Sequence, residues 1–337
     1  MTKRIEFIDA LKGFAIFCVL WGHALQYLRG NYDFFHNPLF EFIYSFHMPL
    51  FFVVSGFFFA SSLKLNIKDF MLKKGKQLLL PCFSWAILFA LLYVATTIYH
   101  NTKIDYVRLL KSVSPLGWFW FLRELFISYC IVYFALKMLK KQWLACLLSI
   151  CFVLIAPFCG TTQRFLLPMF WVGIFLKDNY HFLEKYSKWI LPVTTVLFAL
   201  CLVFWNGNYT MYVSPLKILN LRELTFNTTN IDIALFRLAI GIVGSVFWFM
   251  LFLKIYKNNR IFLLLSQAGT YTMGIYILQR KILEIWINKI LDFPNVNIWV
   301  YNFLITPLIA VLVGFGCIFL IKFISKSKFL GTVLFGK

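Results

Sequence analysis

His23 stands eleven residues after Lys12 in the stretch IDALKGFAIFCVLWGHALQYL, residues 8–28. Neutral imidazole is the usual general base near pH 7, and an ammonium group holds anions. On a helix, eleven residues turn about 20° past three full turns and rise about 16 Å. The two side chains therefore share one face, with Lys12 near one end and His23 near the other. Asp9 lies about 21 Å from His23 along the same axis, too far to bond it in a straight helix. It stands three residues before Lys12 and can pair with it. The competing reading takes Asp9 and Lys12 as interfacial charges and His23 as a polar residue satisfied inside a bundle.

Other residues of the same chemical kind recur along the chain. EFIYSFHMPLFFVVSGFFFA, residues 41–60, sets Glu41 and Ser45 one turn apart and turns His47 to another side of the helix. In GWFWFLRELFISY, residues 117–129, Arg123 and Glu124 point about 100° apart, so both cannot easily face lipid. Glu41 and Glu124 are candidate catalytic carboxylates that would orient an imidazole. Ser45, His47, Trp118, Arg123, Gln279 and Arg280 are candidate substrate contacts, and Ser45, Trp118 and Gln279 are candidate oxyanion donors. With Arg164 and Arg237 these groups form a polar collar that suits a hydroxyl-rich or anionic acceptor, although any one of them could snorkel to headgroups. KKGKQLLLP places Lys73, Lys74 and Lys76 together. They would either anchor a membrane helix or hold the phosphates of an anionic donor.

These residues sit in a chain that is 61% hydrophobic, with 41 Phe among 337 residues and a mean hydropathy of +0.79. Soluble domains are about half apolar. Apolar runs of roughly 20 residues recur from end to end, which predicts an all-α, polytopic membrane bundle in one domain over 1–337. Ten spans are expected, at 8–28, 38–61, 77–99, 116–136, 142–159, 163–177, 189–206, 231–253, 261–282 and 297–322. The fifth and sixth are short and interrupted by Pro157, Gly160 and Pro168, so they would be tilted, kinked or re-entrant. MTKRIEF followed by an apolar run with no small-residue cleavage site reads as a retained signal anchor.

The net charge of +20 has a membrane explanation, because Lys and Arg collect in cytoplasmic loops. An even number of spans with both termini cytoplasmic puts most of the basic residues inside, including Lys64 to Lys76, Lys137 to Lys141 and Lys254 to Arg260. No basic run interleaved with aromatics appears, which excludes a nucleic-acid partner. The eight cysteines lie in apolar runs without CxxC or Cys/His spacing and read as packing thiols. The five histidines lack metal-ligand spacing, so no metal site is expected.

IDALKGFAIFCVLWGH, FHMPLFFVVSGF, WFWFLRELF and LSQAGTYTMGIYILQ, in that order, resemble the motifs of the acyltransferase family 3 membrane proteins. The resemblance runs from about residue 4 to 280 and is strong at the first two motifs. It includes the branch of fucose 4-O-acetylase-like and surface-polysaccharide O-acetyltransferases. It implies a ten-helix transferase that O-acylates sugars with an acyl-CoA donor, usually acetyl-CoA, supplied from the cytoplasm. No permanently bound cofactor is implied. The acceptor would be a carbohydrate or glycolipid, and the location the inner or plasma membrane, among its lipids. In this resemblance Lys12 occupies the place of a family Arg, His23 that of the catalytic His, and Gln279 that of a frequent His. Lys73, Lys74 and Lys76 stand where an Arg-rich motif is common, and with Lys12 they are the candidate donor-binding residues.

The resemblance implies that His23 takes the proton of an acceptor hydroxyl as it attacks the thioester, with an acyl-histidine intermediate as the variant. A flippase or exporter of a lipid-linked sugar is the alternative. Transporters often show internal repeats or paired interrupted helices, and no repeat is visible here. A non-catalytic scaffold gives no reason for Lys12 and His23 to share a face.

Overall fold

The computed structural model describes residues 6–30, 33–107, 109, 119–156, 159–216, 219–220, 225–226, 229–257 and 259–336. It is a helix bundle, as its apolar runs dictate. The long elements are α1 (Glu6–Tyr27), α2 (Pro38–Phe57), α3 (Ile67–Tyr99), α4 (Trp120–Met138), α5 (Gln142–Ile155), α6 (Thr161–Asp178), α7 (Ser187–Phe204) and α8 (Ile231–Ile255). They are followed by α9 (Arg260–Thr270), α10 (Thr272–Lys281), α11 (Ile298–Ile324) and the short α12 (Lys328–Phe335). A two-residue antiparallel ladder, Leu219–Asn220 with Thr225–Phe226, is the β structure among the described residues.

All ten expected spans meet a helix, but fewer are built to cross a bilayer alone. Among the described residues, six helices are long and apolar enough: α1, α2, α3, α7, α8 and α11. A seventh would be the pair Arg260–Thr270 and Thr272–Ile290, which is bent by 77°. The sequence predicts one continuous span over 261–282, and the break at Tyr271 replaces it. Among the rest, α5 has 14 residues, short of the roughly 20 a crossing needs. Charged residues dilute the other two, with Arg123, Glu124 and Lys137 in α4 and Arg164 and Lys177 in α6. The third span also starts earlier than expected. Asn66 caps it, its side chain accepting from the Asp69 N–H, and a basic turn precedes the apolar run.

Pro168 lies inside α6, and Gly160 is its N-cap. Pro157 lies outside the described residues. Pro38 opens α2, where the Asn37 side chain accepts from the Leu39 and Phe40 N–H groups.

α1 is the core of the bundle. In its most apolar window 72% of the residues are buried, against 11% in α7, so α1 is ringed by protein while α7 is peripheral. It packs on α2, α8, α9, α10 and α11. Two interfaces are tight enough to need glycine. A Cβ on Gly13 would fall on the Leu265 carbonyl, and one on Gly269 on the Asp9 carbonyl, which locks α1 to α9. Gly56 and Gly173 stand in the same relation to the carbonyls of Phe170 and Val53, which locks α2 to α6. Close backbone approach of this kind is a common way for helices to associate in lipid.

Gly173→Ala is expected to force α2 and α6 apart and cost about 1–3 kcal/mol. Thermal unfolding of the protein in lipid or detergent checks this, with a lower midpoint expected. An unshifted midpoint would show that the interface has slack.

Candidate functional site

α1 presents Val19, His23, Gln26 and Tyr27, spaced by four, three and one residues, to one cavity of about 370 Å³. α2 presents Phe40, Tyr44, His47 and Met48 at the same spacing. Helical periodicity puts each set on one face. α10 adds Tyr276, Gln279 and Arg280, α4 adds Trp120, and the segment after α7 adds Tyr212. Phe34 and Phe35, from a short turn capped by Asp33, complete the wall. His23, His47, Gln279 and Arg280 thus converge, from three helices far apart in sequence.

The two imidazoles are set differently. His47 Nδ1 lies 2.7 Å from the carbonyl of Ile43. A carbonyl only accepts, so this nitrogen carries the hydrogen, and the Nε2 of the neutral ring presents a lone pair. The Tyr44 ring meets His47 edge-on at 4.6 Å. His23 Nδ1 is buried with no hydrogen-bond partner, and its ring stacks on Tyr27 at 5.7 Å. Gln279 is 1% exposed and its Oε1 also has no partner. Arg280 Nε donates to Glu284 Oε2 at 2.7 Å.

A smaller cavity of about 110 Å³ continues along α1. Lys12, Ile16 and Val19 line it from α1, Met48, Phe51, Val54 and Ser55 from α2, and Thr272, Met273 and Tyr276 from α10. Val19, Met48 and Tyr276 belong to the linings of both cavities, so the two spaces adjoin at these residues, the neck. Lys12 lines only the smaller space and His23 only the larger. Lys12 Nζ donates to Asp9 Oδ1 at 2.8 Å, as the spacing predicts, and also lies 5.4 Å from the centre of the Phe58 ring.

The three clustered lysines separate. Lys73 and Lys76 are exposed, while Lys74 is buried. Its Nζ stands 3.6 Å from the centre of the Tyr129 ring, a cation–π contact. Tyr129 donates to the Ser55 carbonyl at 3.2 Å, and Ser55 lines the smaller cavity. A π-helical segment, Gly75–Leu79, follows directly.

The remaining sequence candidates lie elsewhere. Glu41 Oε1 accepts from the Gly207 N–H at 2.7 Å, and the Glu41 carbonyl accepts from Trp205 Nε1 at 2.8 Å. Ser45 donates to the Phe42 carbonyl of its own helix at 2.7 Å. Arg123 Nε donates to Glu124 Oε1 at 3.0 Å, and the Gln163 amide bridges Glu124 and Ser128. None of these residues lines either cavity. Trp118 lies outside the described residues, and Trp120 is the tryptophan of that motif that reaches the larger cavity.

Arg164 and Arg237 account for the rest of the expected collar. Arg237 donates to the carbonyls of Tyr209, Thr210 and Ser214, and Arg164 to those of Val153, Ala156 and Leu216. With Glu41 they pin segment 205–216, which carries Tyr212 to the cavity mouth. Tyr212 is half exposed there, and partial desolvation pushes its hydroxyl up to about 12. Sequence reasoning missed the tyrosines. Tyr27, one turn after His23, had a signal in its spacing, and Tyr212 had none.

The family model described as an acyltransferase domain, acyltransferase family 3, matches residues 5–325. Two curated relatives carry the name nodulation protein NolL. The one from Mesorhizobium japonicum is 35% identical over 127 residues, 37% of this chain and 34% of the relative. The one from Sinorhizobium fredii is 25% identical over 214 residues, 60% of this chain and 58% of the relative. The chain thus spans about a third to three-fifths of the length of these relatives. No solved structure matches.

Arg237→Met removes three charge-assisted bonds to buried carbonyls and is expected to cost about 2–4 kcal/mol. Backbone hydrogen exchange over 205–216 should rise with it. Glu41→Gln keeps an oxygen facing the Gly207 N–H and should leave that exchange near the parent level. Equal loosening by both changes would show that the carboxylate charge itself holds the segment.

Proposed function

The chain belongs to acyltransferase family 3, and from that premise we propose that it moves an acyl group, acetyl first of all, from acyl-CoA to a hydroxyl. The acceptor is a sugar or a cell-surface polysaccharide precursor. The observation that carries this reading is the pair of cavities that share Val19, Met48 and Tyr276 in their linings, with Lys12 in the lining of one and His23 in that of the other. A pantetheine arm is about as long as the Lys12–His23 separation of roughly 16 Å. It would enter past the lysines, lie along the smaller cavity, and bring its thioester to the neck.

In this reading Lys73 and Lys76 meet the nucleotide phosphates in solvent, while Lys74 and Lys12 line the way in. His23 takes the proton of the acceptor hydroxyl as its oxygen attacks the thioester carbon. The C–O ester bond forms, the C–S bond breaks, and the thiolate leaves with the proton that His23 returns. Lys and Arg excess on cytoplasmic loops puts the lysine end of the bundle in the cytoplasm and the histidine cavity toward the opposite face of the inner or plasma membrane. The acceptor thus meets the donor across the bilayer.

Release of free CoA from acetyl-CoA by the protein in lipid, with a membrane glycolipid extract as acceptor, tests the reading. His23→Ala should lower acceptor-dependent release by at least about 100-fold. Lys12→Ala should raise the KM for acetyl-CoA more than it lowers kcat. Release that survives His23→Ala would remove His23 from the reaction while leaving the transferase.

A further inference from the structure

Two acceptors in the larger cavity, on separate helices, stand without a donor. Gln279 Oε1 is buried and unpartnered. The Nδ1–H of His47 is committed to the Ile43 carbonyl, so Nε2 of the neutral ring can only accept. None of the four tyrosines in the lining bonds either atom. Arg280 is the cation among the lining residues, and Glu284 already neutralises it at 2.7 Å. Among the described residues, no carboxylate belongs to the lining.

A hydroxyl brings the missing donor. A simple alcohol brings one, and the reacting hydroxyl gives that one to His23. The two acceptors on α2 and α10 would then receive no donor from the alcohol. Buried acceptors left without a donor are costly.

We propose that His47 and Gln279 are specificity-determining residues that accept hydrogen bonds from non-reacting hydroxyls, one hydroxyl for each acceptor, so that the site selects an acceptor with several neighbouring hydroxyls. This rests on the transferase reading above and adds to it which residues choose the acceptor. The non-reacting hydroxyls keep their protons throughout, and a diol supplies one of the two. Only the reacting oxygen loses its proton, through His23 to the departing thiolate. Discrimination comes from the mono-alcohol, which leaves His47 Nε2 and Gln279 Oε1 without a donor. A site built to bond a hydroxyl rejects the analogue lacking it far more strongly than a site that merely fits its shape.

The test uses the full chain in lipid with acetyl-CoA and two small probes at matched concentration, 1,2-propanediol and 1-propanol. Both fit a space of about 370 Å³. Ester product is measured by mass spectrometry and kcat/KM compared for each alcohol. The parent protein should favour the diol by at least about tenfold per hydroxyl. His47→Phe and Gln279→Leu, on separate helices, should each pull that ratio toward one, by reducing transfer to the diol more than transfer to propanol.

A parent protein without diol preference overturns the proposal. So do variants in which both alcohols fall together, as a structural role or a base serving every acceptor would give. Acylation of a glycolipid extract but of neither small alcohol also counts against it. Absence of CoA release with every hydroxyl compound, the extract included, is instead the failure of the transferase reading itself.

Discussion

A hydrogen-bonding atom inside hydrocarbon has no water to turn to, and each one left unpaired costs several kcal/mol. That constraint sorts the polar residues of this bundle. Glu41, Arg123, Glu124, Arg164 and Arg237 are all spent on the protein itself, on backbone groups or on each other. They fix a loop and join helices. His23 Nδ1 and Gln279 Oε1 are left open, and both residues line the larger cavity. Ser245 Oγ and Trp248 Nε1 are also unpartnered but line neither of the two cavities. Convergence on one space, rather than the orphan state alone, is what marks the site.

The convergence depends on how closely the helices approach. Glycines let α9 lie directly on α1, and α6 directly on α2. α1 and α2 each supply one residue shared by both cavities, Val19 and Met48, and one imidazole of the larger cavity, His23 and His47. The break at Tyr271 turns α10 so that Tyr276 joins the neck while Gln279 and Arg280 reach the larger cavity. A straight span over 261–282 would carry these residues along one line through the bundle.

Much of this could be read from the sequence, and the part that could not has a common cause. Helical periodicity placed Lys12 and His23 on one face and paired Asp9 with Lys12, because those relations are local. It also turned His47 away from Glu41 and Ser45. The fate of Glu41 was hidden because its partner, Gly207, is 166 residues away. Glu124 faces Gln163 and Ser128, and Arg164 and Arg237 cap loop carbonyls, which no spacing announces. Lys74 is buried while Lys73 and Lys76 are exposed, since the face of α3 that meets α4 contains Lys74 alone of the three. Ten apolar stretches were visible, but length and charge limit the helices able to cross alone to six among the described residues, or seven spans if the bent pair counts as one.

The absence of a carboxylate from the cavity lining shapes the proposed chemistry. In a Ser-His-Asp triad a fixed aspartate stabilises the imidazolium between proton uptake and proton return. Here Glu284 is tied to Arg280, and Glu41 and Glu124 are engaged elsewhere. On the proposed reading, a proton held by His23 has no standing anion beside it except the thiolate that the reaction creates. Charge is then balanced only while oxygen, imidazole and sulfur are together at the neck. Uptake from the acceptor and return to sulfur belong to one encounter, and the donor without an acceptor gains nothing from His23. Amide Gln279, unable to move a proton, fits such a site better than a third imidazole, because it holds the acceptor without opening a second exit for the proton.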